Sequence, residues 1–507
     1  MCSSDLRINP TGLDSDQWCQ AAVSWGAKEI LFVAKHTGGF CWWQTGTSEY
    51  SIKNTPYKNG NGDVLKELSE SCRKYGLNLG IYVYPGDETW GAGIGSGGKT
   101  ADPAKQKDYD NIFRQQLTEV LTNYGKITEV WFDGSCVIYI NDILDKHASE
   151  SAIFQGPRAS IRWPGTESGK LFYPAWNSLK KSALSTGIAT QYDDDPDGDA
   201  WAPLEADVTL YNHNWFWSAE NEKKRRSLEE LMEIYYKSAG HGGVLLLNST
   251  PDTTGLIPKG DIVRYREFGD EIKRRFDNPL ATIKNRKGDS FEINLEEPSE
   301  INHLILMEDY RKGHRIREYK IEALIGEDWK LISEGSAVGR MKIDYFPAIN
   351  ASKIRVIITK SVNEPLIRSI SIYYVKGYEY KPDVYASNDW KIIGTWDTKD
   401  FINGTGAQTI DLSPFITMPG QYEVVFTNSV VITGMNVTKA EIFFDQDPST
   451  QQDFIKQDGN KNRFLINRTA QVDSESSTIL KVEMASSNSV FQNKGDIRIR
   501  EREISSD

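Results

Sequence analysis

Between residues 15 and 276 short apolar runs alternate with amphipathic stretches of helical period. The runs EILFVAKH, LNLGIYVYP, EVWFDG, AIFQGP and GGVLLLN have strand length and carry almost no polar residues until their last positions. Continuous apolar strands separated by helices require a parallel sheet covered on both faces. Polar residues gather where these runs end: Lys35-His36, Tyr84-Pro85, Asp133-Gly134 and Gln155-Gly156. In a (β/α) barrel those ends carry the active site. An open doubly wound sheet would place a ligand there too, on a glycine-rich phosphate turn. The one glycine cluster, GAGIGSGG at 91–98, has no strand before it and no helix after it, and reads as a flexible loop.

After residue 277 the texture changes to short alternating strands such as SFEINLEE, INHLILME, KIRVIIT and IRSISIYYV. The expected organisation is therefore a TIM-like barrel over 7–277, a discoidin-like β-sandwich over 278–380, and a further β-sandwich over 381–507, the last a candidate carbohydrate-binding module. YKPDVYASNDW, 380–390, reads as the linker.

The formal net charge of −12 excludes nucleic acid as a partner, because phosphate recognition needs a basic surface. No run reaches the roughly 18 apolar residues of a membrane span. Five scattered cysteines and six scattered histidines form neither a disulfide framework nor a metal motif, so no metal and no cofactor is expected. The chain holds 14 Trp, 23 Tyr and 19 Phe, which serve equally as strand cores or as stacking faces for sugars.

Asp133 is the sharpest candidate. It ends a buried strand beside Trp131 and precedes a glycine, a position for a catalytic carboxylate or for a helix cap. A carboxylate nucleophile needs a second carboxyl to protonate the leaving group, about 5–5.5 Å away in a retaining glycosidase. Glu167 in RWPGTESG and Glu205 in WAPLEADV are the candidates. The run DDDPDGD, 193–199, reads as a solvated acidic loop, or more weakly as a calcium loop without its completing Glu.

The ordered series NPTGLDSDQW, AKHTGGFCWW, GDVLKELSESCRKYGLNLGIYVYP, LTNYGKITEVWFDG, FQGP, RWPGTESG and GGVLLLNSTPDTTGLI resembles the α-L-fucosidases of glycoside hydrolase family 29. LILMEDYRKGHRIREYKIEA is similar to the branch acting on α-1,3/1,4-linked fucose. The resemblance covers residues 8–376. It implies that Asp133 is the nucleophile, that Glu167 is the acid/base, with Glu205 the alternative, and that His36 and Trp131 line the sugar pocket. Trp215 and Trp217 resemble the family's W-F segment near the site. Tyr82, Tyr84 and Trp43 are further candidates for the pocket wall. Arg162 is a candidate for sugar contact, or for holding the Glu167 loop.

The sequence departs from the family in two places. Thr37 and Gly38 stand where the family has its second His and an Asp, which opens discrimination between L-fucose and L-galactose. The family's first strand precedes the segment that begins here at Asn9, so the barrel is expected to lack it. MCSSDL is what a common sequencing-adapter end encodes, and the natural chain is expected to start further upstream with an export signal, for a periplasmic or extracellular enzyme. The expected activity is exo-acting, retaining release of terminal α-L-fucose from oligosaccharides or glycoconjugates. The alternatives are an α-L-galactosidase or related L-sugar glycosidase, and a carbohydrate-binding protein that does not cut.

Overall fold

The computed structural model describes residues 7–380 and, beyond them, 391–426, 435–445, 452–453, 455–456, 462–468, 472, 476–486 and 494–502. Positions 1–6 and most of the expected linker lie outside the described residues.

Helix α1 (Ser15–Ser24) starts at Asp14, whose carboxylate accepts the amides of Asp16 and Gln17. Strand β1 (Glu29–Lys35) follows. Helix α2 (Val64–Tyr75) is capped by Asp63 and stopped by Gly76 at φ 68°. Then come β2 (Asn78–Val83), α3 (Gln106–Thr122), β3 (Glu129–Trp131), α4 (Asn141–His147) and β4 (Ala152–Phe154). Strand β5 (Glu205–Thr209), helix α5 (Leu228–Lys237), strand β6 (Val244–Asn248) and helix α6 (Lys259–Phe276) complete the α/β part.

Strands β1 to β4 pair in chain order, all parallel. Parallel bridges from Phe154 to Ile161 and from Arg162 to Leu204 carry the series on to β5, which pairs in parallel with β6. Among the described residues no pairing joins β6 back to β1, so the series is open where a closed barrel would be sealed. Helices α2 and α3 cover its outer face through Leu65, Leu68, Phe113, Leu117 and Val120, against Ile81, Val83, Val130 and Ile153. Each such side chain contributes about 1.5–3 kcal/mol on burial. Tyr82, Tyr84, Trp131, Phe154 and Ile161 form a separate cluster.

The next segment is one six-stranded antiparallel sheet: β7 (Ala281–Lys287), β8 (Ser290–Glu308), β9 (Ile316–Ile325), β10 (Asp328–Gly335), β11 (Lys342–Ser361) and β12 (Leu366–Tyr373). Its order is β10-β9-β11-β8-β12-β7. SFEINLEE and INHLILME, which the pattern divides in two, are one strand of 19 residues. The register shifts between Asn294 and Ser299, and hydrogen bonding resumes beyond the bulge. Ile305, Ile343 and Tyr373 of this sheet share a core with Leu231, Tyr265 and Phe268 of α5 and α6. Residues 7–380 therefore belong to one compact unit.

The described residues from 391 onward belong to a second unit. It contains a five-stranded and a four-stranded antiparallel sheet. They share a core that includes Trp396, Tyr422, Phe426, Phe464, Leu480 and Ile497.

Candidate active site

Asp133 directly follows β3 and Phe132, and holds φ at +55°, a left-handed conformation that a residue with a Cβ adopts at a cost. Gly134 follows at φ 124°, so the chain turns away at once and leaves the carboxylate exposed at the strand end. Tyr82 lies opposite Trp131 in the β2–β3 register, and its hydroxyl donates to Asp133 Oδ2 at 2.7 Å. His36, just past β1, stacks on Tyr82 at 5.5 Å and on Tyr84 at 5.6 Å. The Tyr84 hydroxyl accepts the Gly95 amide at 2.7 Å. Burial raises both phenols, and the Asp133 charge raises them further, so Tyr82 stays a neutral donor. Burial lowers His36, opposed by Asp133 and Glu88.

Glu167 arrives on the loop after Trp163. The Trp215 indole donates to its Oε2 at 3.1 Å. The loop is tied to β5: the Gly169 amide donates to the Asp207 carbonyl, and Ser168 bridges Val208. The Trp163 indole donates to Asp207 Oδ1 at 2.8 Å. Asp207 is buried, and burial pushes its carboxyl far above the ordinary range. The charges of Glu167 and Asp133 push it the same way, which puts both carboxylates within electrostatic reach of one group. Asp207 was not among the sequence candidates. Its signal was the alternation E-A-D-V-T, with Glu205, Asp207 and Thr209 on one face and Ala206 and Val208 on the other.

The structure places four candidates in buried surroundings. Arg162 is buried and spends its guanidinium on the carbonyls of Ala202, Thr190 and Trp176 and on the Asp194 carboxylate at 2.9 Å. It braces loops from a buried position. Glu205 is sealed in: its Oε1 accepts the Trp131 indole at 2.8 Å, and Glu129 accepts the same N–H at 3.1 Å. The two carboxyls also bond each other, and burial holds Glu205 at about 7. Glu129 starts β3, four residues or about 13 Å of extended chain before Asp133, so this pair lies beneath the strand-end layer. Trp131 lies midway between that pair and the strand end. It is buried, stacked on Phe154 at 3.6 Å and on Tyr82 at 5.9 Å. Trp43 is fully buried and packs in the α2–α3 core, its indole donating to Glu119.

Neighbours of Trp43 follow the same logic. Lys35 is buried on the outer face, paired with Asp87 at 3.4 Å and set over the rings of Tyr109 and Phe113. Phe40 and Trp42 pack edge to face at 5.1 Å in a small cluster with Ile52 and Tyr57. The glycine loop is tied down: besides the Gly95 bond to Tyr84, Gly97 accepts the Val137 amide and Gly98 accepts Gln106. In the acidic run, Asp194 pairs with Arg162, Asp197 with Arg317, Asp193 caps Thr190 and Asp199 accepts the Lys181 amide. These carboxylates are structural ties. Among the described residues no group of three ligating side chains is placed to hold a metal ion.

The geometry is that of a site built for polar chemistry at the ends of parallel strands. The alpha-L-fucosidase family profile matches residues 5–275, more than half of the chain. Alpha-L-fucosidase 1 of Arabidopsis thaliana is 28% identical over 418 residues, 73% of this chain and 80% of that protein. A solved Bacteroides thetaiotaomicron structure assigned as an alpha-L-fucosidase is 32% identical, with a TM-score of 0.67 over 74% of this chain and 93% of its own. A Ruminococcus gnavus family 29 fucosidase solved with fucose is 26% identical, with a TM-score of 0.62 over 72% of this chain and 87% of its own. The chain belongs to the alpha-L-fucosidase family and is a glycoside hydrolase.

Proposed function

We propose that this chain releases terminal α-L-fucose, α-1,3- or α-1,4-linked, from oligosaccharides or glycoconjugates with retention of configuration, in a barrel-like α/β domain. The observation that carries the reading is a carboxylate presented at the end of β3, with a second carboxylate presented by the loop tied to β5. Asp133 is exposed on strained backbone and steadied by Tyr82, while Glu167 is held by one indole on a separate loop.

In this reading Asp133 attacks the anomeric carbon as Glu167 passes its proton to the departing glycosidic oxygen. The sugar is then esterified to Asp133. Glu167, now ionised, takes a proton from water, and the hydroxide oxygen replaces Asp133 at the anomeric carbon. Two inversions leave the configuration as it was. The Tyr82 hydroxyl holds one Asp133 oxygen and leaves the other free to attack. Neutral His36, stacked on the two tyrosines, is placed to meet a sugar hydroxyl. Support for fucose comes from the family relative solved with that sugar.

The test is hydrolysis of an aryl α-L-fucoside and an aryl α-L-galactoside side by side, with the first-formed anomer read by NMR. Fucoside cleavage with α-L-fucose released first is expected. A β-anomer, or an untouched fucoside, contradicts the reading. One observation favours a second substrate: the Thr37 hydroxyl is buried without a hydrogen-bond partner among the described residues, one residue from His36. Thr37 stands where the family carries its second His, and loss of that imidazole relaxes discrimination against the exocyclic hydroxyl that L-galactose has and L-fucose lacks. Preferential cleavage of the galactoside, abolished in Thr37→Val, would establish that alternative.

A further inference from the structure

Far along the chain from the catalytic residues, one edge of the six-stranded sheet reverses the charge of the molecule. A cavity of about 440 Å³ opens there, lined by Arg286 and Lys287 of β7, Arg368 of β12, and Asp309, Tyr310 and Arg311 of the turn after β8. Four cations face one carboxylate, on a chain whose formal net charge is −12. That carboxylate is already used: Asp309 grips Arg311 through both oxygens at 2.7 Å. Arg286, Lys287 and Arg368 make no ion pair among the described residues.

The cations are held by secondary structure. In the β7–β12 ladder Leu366 faces Lys287 and Ile367 faces Arg286, with Arg368 next in the chain, so the three cations lie together at the sheet margin. Among the described residues β7 is an edge strand that no further strand covers. Tyr310 is fixed by parallel stacking on Trp201 at 6.4 Å. Like charges gathered on a stiff frame repel one another, and a bound anion relieves that repulsion. Arginine forks match the paired oxygens of an oxyanion. The volume suits a short oligosaccharide, and the strongly negative chain disfavours a long polyanion such as nucleic acid.

We propose that this cleft binds sulfate esters of a glycan, so that the sheet holds an anionic carbohydrate while the strand-end site works on a terminal sugar. Binding of the full chain would be measured by titration calorimetry with a sulfated galactan tetrasaccharide, its desulfated counterpart, a polyuronate tetrasaccharide and a short single-stranded DNA. The sulfated sugar alone is expected to bind. Raising salt from about 50 to about 200 mM should weaken it about tenfold. Arg286→Ala combined with Arg368→Ala should weaken it by a similar factor, with turnover of an aryl α-L-fucoside unchanged and the thermal transition retained. Arg368→Lys should keep part of the binding. Equal binding of the desulfated sugar, of the polyuronate or of the DNA would overturn the proposal. So would unchanged binding by the double alanine variant. Because aryl fucoside turnover is read separately, failure here leaves the catalytic reading standing, and failure of that reading leaves this one.

Discussion

Two groups of carboxyls share the inner side of the parallel strands, and their fates differ. At the strand ends Asp133 and Glu167 meet solvent, held by the Tyr82 hydroxyl and the Trp215 indole respectively. At the strand starts Glu129 and Glu205 are sealed, bonded to each other and to the Trp131 indole, with Glu29 close enough to raise both. The residue types are the same. Height along the strand separates them: the upper carboxylates reach solvent and the lower ones do not. Trp131 and Tyr82 join the layers by stacking, so the lower group acts as the footing of the upper one.

The comparison breaks most sharply at Asp133. Asp133→Ala should cut turnover by at least about a thousandfold, and azide should restore part of it with an inverted fucosyl azide as product. Full activity in this variant would remove Asp133 from the reaction. Glu167→Ala comes next. It should cost about 10²–10⁴-fold on substrates with poor leaving groups and far less on an activated aryl fucoside. An equal loss on both would mean that the proton comes from elsewhere.

Asp207 sharpens the boundary between the layers. It is buried, and burial favours its neutral form, so Asp207→Asn, which keeps an acceptor for Trp163, should leave activity within a few-fold. Asp207→Ala frees Trp163 and the Glu167 loop, and a displacement of that kind costs on the order of 10²-fold. A large loss in the Asn variant would show that Asp207 must ionise.

The smallest effect on catalysis is expected at Glu205. Glu205→Gln should leave the leaving-group dependence as it is. Its signature is in stability: the folded carboxyl sits near 7 and the unfolded one near 4.5, so the native state holds a proton that the unfolded chain releases. That contribution is full below about 4.5 and is lost as pH rises through 7. The wild-type thermal transition should therefore fall more steeply between pH 5 and 8 than that of the Gln variant. A selective loss on poor leaving groups would instead make Glu205 the acid.

Much of this was legible in the sequence. Apolar runs marked β1 to β4 and β6, and the run ending in Asp133-Gly134 marked the carboxylate at a strand end. β5 was not legible, because its inward residues are Glu205, Asp207 and Thr209 and no apolar run announces it. With it Asp207 was missed and the burial of Glu205 was not foreseen, since burial and height are properties of the folded strand. Trp43 failed for a related reason: an aromatic after a strand fits a sugar or a core equally well, and the Glu119 contact that decides between them lies 76 residues away. The register shift inside β8 hid one long strand as two, since a bulge breaks the alternation without ending the ladder.

The central claim is that the upper carboxylates do the chemistry and that Asp133 carries the sugar. A slow substrate tests it directly: 2-deoxy-2-fluoro-α-L-fucosyl fluoride, followed by proteolysis and mass mapping of the trapped ester. The account predicts one added fluorofucosyl group on the peptide containing Asp133, and none in Asp133→Ala. A label on Glu167 or Glu205, or turnover without any trapped ester, would contradict it.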